Sequence, residues 1–204
     1  MKRLKNIFKI AVLSLAIVFS FSAFGCARVQ PCTMEELKGT YKLKNYSRSY
    51  YKLNEQNERV LDRDEDFLKT KNIEMFLIIT GDEFGYIAYK DNDTSLIVRE
   101  VRLAYNYEYE VVDGQTVYTD KISTIEYRTL SGRNYENIND SWANLGTTNK
   151  GQKLNNTHPA YEHGLTNLLY RDYVDFEKVS KDVDLKYIRE KYTALPQIEP
   201  YQNI

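Results

Sequence analysis

The 204-residue sequence predicts an all-β, mainly antiparallel fold: an up-and-down barrel of about eight strands with a short C-terminal helix. Three features carry that expectation. From Val101 to Val111 apolar and polar residues alternate, with Val101, Leu103, Tyr105, Tyr107, Tyr109 and Val111 on one face and Arg102, Ala104, Asn106, Glu108 and Glu110 on the other. Period-two alternation is the pattern of a half-buried strand. Asp113-Gly114 follows, a strong signal for a two-residue hairpin turn when strands flank it. Further strand-length segments with tight turns lie on either side, so the pattern is a meander and not a βαβ repeat. Consecutive hairpins close economically into a barrel, because closure removes exposed strand edges.

In chain order, Ala27 to Thr33 reads as a short tether punctuated by Pro31, and Met34-Glu35-Glu36-Leu37 as one helical turn. In Gly39 to Lys44, Tyr41 and Leu43 alternate with Thr40, Lys42 and Lys44, which marks a first strand. Asn54 to Asp66 is polar and charged and reads as a loop. Glu74 to Thr80 is an apolar run of strand length; Gly81-Asp82-Glu83 is a turn, and Phe84 to Lys90 a further strand. Gln115 to Leu130 returns from the hairpin with a break expected near Asp120-Lys121. Arg133 to Tyr161, rich in Asn, Gly and Thr, reads as short edge strands and loops holding Trp142. Thr166 to Lys178 regains strand character. Ser180 to Lys191 places Leu185, Ile188 and Tyr192 at helical spacing, and Pro196 ends that helix. The expected organisation is a leader over 1–25, a tether over 26–33, a barrel domain over 34–195 and a tail over 196–204.

The leader has its own logic. Lys2, Arg3, Lys5 and Lys9 form a basic head, Ile10 to Phe24 is an uncharged apolar run, and Ala23-Phe24-Gly25-Cys26 closes it. That is the pattern of a secretory signal peptide. The run is about 15 residues, short of the roughly 20 that a spanning helix needs. The last four residues resemble the lipobox of bacterial lipoproteins, with Phe24 bulkier than the usual small residue. The resemblance implies cleavage after Gly25, lipid on Cys26 and attachment to the extracytoplasmic face of a cell membrane, or to an outer membrane in a diderm source. Two acyl chains suffice for stable anchoring where one does not. An ordinary secretory cut near Ala23 or Gly25 is the alternative.

Cleavage would remove four basic and no acidic residues, taking the formal charge from −1 to −5. A mildly acidic protein carries no electrostatic footprint for nucleic acid. Cys26 and Cys32 are the only cysteines. If Cys26 is lipidated, Cys32 has no partner within the chain; if not, a short disulfide between them is open. Either way no disulfide framework holds the domain.

Leu37-Lys38-Gly39-Thr40-Tyr41-Lys42-Leu43, the meander after it and the C-terminal helix resemble the calycin group, more narrowly the lipocalin-like domains on bacterial lipoproteins. That family carries Gly-x-Trp in its first strand, and Tyr41 stands at the Trp position. The resemblance implies a non-catalytic binding protein for a small apolar or amphipathic ligand, with an Arg of the last strand, such as Arg171, beside Tyr41. From the residues themselves, an inward Tyr41 can close the barrel floor if its hydroxyl finds a partner. Leu103, Tyr105, Tyr107 and Tyr109 are expected to face the interior with it, either completing a core or lining a cavity.

No nucleophile or nucleotide-binding motif occurs: G-x-S-x-G, Walker A and G-x-G-x-x-G are all missing. His158 and His163 lie five apart with Pro159 between them, unlike paired zinc ligands on a helix. Asp62-Arg63-Asp64-Glu65-Asp66 and Asp91-Asn92-Asp93 lack the further ligands of a calcium loop. The expectation is therefore no catalysis, no cofactor and no metal. A structural or protein-interaction module of the envelope, with a filled barrel, is the competing reading, and an unrecognised hydrolase a third.

Overall fold

In chain order the elements are β1 (Cys32–Thr33), α1 (Met34–Leu37), β2 (Gly39–Leu53), β3 (Arg59–Asp66), α2 (Phe67–Thr70), β4 (Glu74–Ile79), β5 (Phe84–Lys90), β6 (Ile97–Val112), β7 (Gln115–Arg128), β8 (Ala143–Thr148), β9 (Lys153–Asn156), β10 (Ala160–Glu162), β11 (Leu169–Ser180) and α3 (Lys186–Lys191). The computed structural model describes residues 29–90, 95–128, 143–156, 160–162, 169–192 and 195–201. Gly25, Cys26, Asp91, Asn92, Asp93, Trp142, His158 and His163 lie outside them.

The strands run β2-β4-β5-β6-β7-β8-β9-β11, each antiparallel to the next. β11 returns to β2 over a register from Ser180↔Thr40 to Leu169↔Tyr51, which closes the ring. The result is the expected eight-stranded up-and-down barrel. Inward side chains from all eight strands meet in one buried cluster, among them Tyr41, Leu77, Ile87, Leu103, Ile125, Leu145, Leu154 and Phe176.

A second cluster lies outside the wall. Phe76, Ile78, Ala88 and Val98 on the outer face of β4–β6 are covered by Leu185 and Ile188. This explains why Met75 to Ile79 is continuously apolar: a strand buried on both faces has no polar side to alternate with. Leu185, Ile188 and Tyr192 all pack there, as the helical spacing predicts. The helix itself is shorter than expected, because Leu185 adopts a left-handed backbone (φ 66°) just before it.

Three expectations need correction. Residues 59–66 are a strand, not a loop: β3 pairs with the outer half of β2 from Ser47↔Asp66 to Leu53↔Arg59. The apolar marker fails because most of β3 is solvent-exposed. Cross-strand pairs hold it instead, with Ser49 donating to Asp64 at 2.6 Å and Arg63 over the Tyr50 ring at 4.0 Å. The break near Asp120-Lys121 is a bulge in a continuous strand, where pairing jumps from Tyr107↔Ile122 to Tyr109↔Tyr118. Finally, β8 and β9 are not edges, since β8 pairs with β7 and β9, and β9 pairs with β11. Their alternation is weak because Gly146, Thr147 and Asn155 occupy ring positions.

Two extensions leave the ring at opposite ends. β2, β3, β10 and β11 continue past the end where β5 finishes, whereas β6 and β7 run on past the Gly81 turn, at the end where β2 begins.

Candidate functional site

The floor is built around Tyr41, which is fully buried. Thr33 caps α1 in a reciprocal box with Glu36, so the single turn is held before it meets the barrel. The Tyr41 hydroxyl lies 2.5 Å from the Leu37 carbonyl oxygen and 2.6 Å from that of Gly151, its one proton shared between them. Gly151 itself has φ 71°, and a Cβ there would stand 2.8 Å from the Glu36 oxygen, so the turn requires glycine. Lys178, the register partner of Tyr41, places its ammonium 5.3 Å from the Tyr41 ring centroid. That ammonium donates to the Glu36 and Lys38 carbonyls, while burial lowers its pKa. The cation beside Tyr41 thus comes from the last strand and is Lys178; the backbone of Arg171 pairs with Ser49 further up. Cys32 is buried beneath Gly151, its thiol pushed up by burial.

The other expected interior residues divide. Leu103 is 3% exposed and belongs to the inner cluster, and Tyr105 packs partly against it while donating to the Asp82 carbonyl at 3.0 Å. Tyr107 and Tyr109 do not line the interior: they are 39% and 61% exposed. Alternation continues along β6 beyond the last residue the ring can bury, so it marks a face of the hairpin there and no longer an inside. Beside the bulge opposite Glu108 lies a surface recess of about 490 Å³ lined by Tyr105, Tyr107, Tyr109 and Tyr118 together with Asn106, Glu108 and Ser123.

At the far end Arg48 is buried against Asp172, Nε to Oδ1 at 2.6 Å and Nη2 to Oδ2 at 2.8 Å. Its guanidinium stacks 4.1 Å from the Tyr170 ring and 5.5 Å from Phe67. Burial opposes the charge, but the bonds and charge of Asp172 outweigh it and raise the Arg48 pKa. Sequence reading overlooked this pair and Lys178. The available signal was parity: Arg48 shares a face with Tyr46 and Tyr50, and Lys178 with Phe176, so each puts a cation where a core residue is due.

On the wall, Glu74 joins Lys42, Lys191 and Tyr192 and clamps the end of α3 to the barrel. Burial raises the carboxyl pKa, yet the bonds from Lys191, Tyr192 and Lys42 overcome it and hold it at about 2. This stabilisation is complete above the ordinary value of 4.5 and is lost as pH falls from there through about 2. Hydrogen exchange, corrected for intrinsic rates, should show α3 amides losing protection between about pH 6 and about pH 3. Glu74→Gln should show the weaker protection at both values. Unchanged wild-type protection would remove the clamp from the account.

Among the described residues no group of three or more His, Cys, Asp or Glu is placed to hold a metal ion. Among the same residues no helix is long and apolar enough to cross a membrane. Fold and site together define a closed antiparallel meander barrel with a buried apolar interior and a short C-terminal helix on its wall. No family model matches the chain, and neither a curated protein nor a solved structure matches it.

Proposed function

We propose that this chain is a lipid-anchored extracytoplasmic lipoprotein without catalytic activity, cut after Gly25 and held to the cell membrane through Cys26, whose barrel is a scaffold for an envelope interaction module. The observation that carries the choice is the single buried cluster to which all eight strands contribute. Buried apolar side chains from every ring strand occupy the interior, which favours recognition at the outer surfaces. The β2–β3 and β10–β11 extension suits a protein partner: β3 pairs with β2 along one edge, and its other edge is open to strand addition among the described residues. A second reading, a lipocalin-like carrier of a small amphipathic ligand, is favoured by the recess lined by Tyr105, Tyr107, Tyr109 and Tyr118.

The test joins mass to probe binding. Membrane-extracted protein should have lost residues 1–25 and gained acyl mass, and Cys26→Ala should release the protein or stall its processing. An apolar fluorescent probe should find no saturable internal site. Soluble, unacylated wild-type protein would remove the anchor from the proposal. Stoichiometric probe uptake abolished by Leu103→Trp, a change inside the barrel, would replace the scaffold reading with the carrier one.

A further inference from the structure

We infer that the β6–β7 hairpin is a second membrane contact, resting its tyrosine and valine tip in the interface of the bilayer to which Cys26 ties the chain. The inference rests on the lipid-anchored reading.

The hairpin tip is unusually apolar for a solvent-exposed element. Tyr109, Val111 and Tyr118 are 61%, 67% and 71% exposed on one face, and Val112 and Val117 are 50% and 49% exposed on the other. Tyr109 and Tyr118 are direct cross-strand partners, their rings 6.2 Å apart. The turn between the strands is tight, with Asp113 and Gly114 both at positive φ, so the apolar residues crowd close to the end. A contiguous exposed apolar patch of this kind marks a surface that meets something.

Position selects the occupant. The N-terminal segment enters at the root of this same hairpin: Cys32 pairs with Ile122, Gln30 N–H donates to the Thr147 carbonyl, and the Thr147 hydroxyl donates to the Ile122 carbonyl. From Gln30 back to Cys26 is four residues, a reach of at most about 14 Å. From Tyr107, level with Ile122, to the Asp113 turn is six residues, about 20 Å of strand. β1 runs toward the tip, so the chain before Cys32 leads away from it, and a bilayer held within that reach of Gln30 meets the tip when the hairpin lies aslant over its surface. Tyrosine suits that depth, because its ring is apolar while its hydroxyl stays hydrated at the headgroup level. Charge narrows the lipid further. The hairpin segment carries Glu108, Glu110, Asp113 and Asp120 against Lys121, so anionic headgroups would repel it and zwitterionic or uncharged ones would not.

The measurement uses the full chain, produced with its leader in a bacterial host, extracted and reconstituted into phosphatidylcholine vesicles with lipids brominated along their acyl chains. Trp142 is the only tryptophan, so Trp142→Phe provides a silent background for Tyr109→Trp and Tyr118→Trp at the tip. Leu53→Trp, at the opposite extension, is the exposed control. The tip tryptophans should emit at shorter wavelength in vesicles and be quenched at least about twofold more than the control, as expected of an interfacial ring. Phosphatidylglycerol in the vesicles should weaken that quenching. If intact mass shows acyl chains on Cys26 while the tip tryptophans are quenched no more than Leu53→Trp, the anchor stands and the hairpin contact is overturned. If Cys26 proves unacylated, the anchor reading fails. The same quenching then decides the hairpin, with quenching supporting a contact made by the tip alone and no quenching overturning it. A blue shift without bromolipid quenching, in particles of doubled mass, would assign the tip to a second copy of the chain and overturn the membrane contact.

Discussion

Tyr41→Ala is expected to lower the unfolding free energy by about 3–5 kcal/mol, the cost of deleting a large aromatic side chain from a core that cannot collapse around the void. The residue is fully buried and lies at the crossing of β2, α1, the Gly151 turn and Lys178. The vacancy has rigid walls, which keeps the effect at the upper end of the range. Tyr41→Phe separates the two parts of the loss. It keeps the ring beneath Lys178 but leaves the Leu37 and Gly151 carbonyls without their shared donor, a loss of about 1–3 kcal/mol. Equilibrium unfolding in urea measures both, and the slope should stay constant if only the folded state is affected. A neutral Tyr41→Phe would mean that packing alone, without the hydroxyl, closes the floor.

Arg48→Met should be nearly as damaging, at about 3–5 kcal/mol, because it leaves the Asp172 carboxylate uncompensated in a half-dry site. The side chains of the pair are only 10% and 14% exposed, so solvent does little to screen that loss. Adding Asp172→Leu to Arg48→Met should recover most of the stability, since an apolar pair of similar volume avoids burying any charge. The double-mutant cycle thus tests whether the interaction is a closed unit. If the double variant is as unstable as Arg48→Met alone, the Tyr170 and Phe67 stacking on the guanidinium, and not the ion pair, holds the upper extension to the barrel.

Local pattern made most of the barrel legible. The strand over Gly39 to Lys44, the pair around Gly81, the alternation of β6 and the turn at Asp113-Gly114 each follow from neighbours along the chain, and each stands in the structure. β3 was not legible, because a strand whose faces are mostly wet carries no apolar period and is held by partners on β2 such as Ser49 and Tyr50. The Arg48–Asp172 pair spans 124 positions, and Tyr41 reaches Gly151 across 110. No window on the sequence contains either.

The sequence by itself determined the all-β class, the meander order and which face of β6 is apolar, since side-chain parity and turn chemistry act between residues close in the chain. Only the tertiary structure decided where that face stops being an interior. Leu103 and Tyr109 obey the same alternation, yet one is 3% and the other 61% exposed, because burial depends on how far neighbouring strands extend alongside. β5 pairs with β6 only as far as Arg102 and β8 with β7 only down to Thr124, and among the described residues no further ring strand runs beside the hairpin to bury Tyr107, Tyr109 and Tyr118.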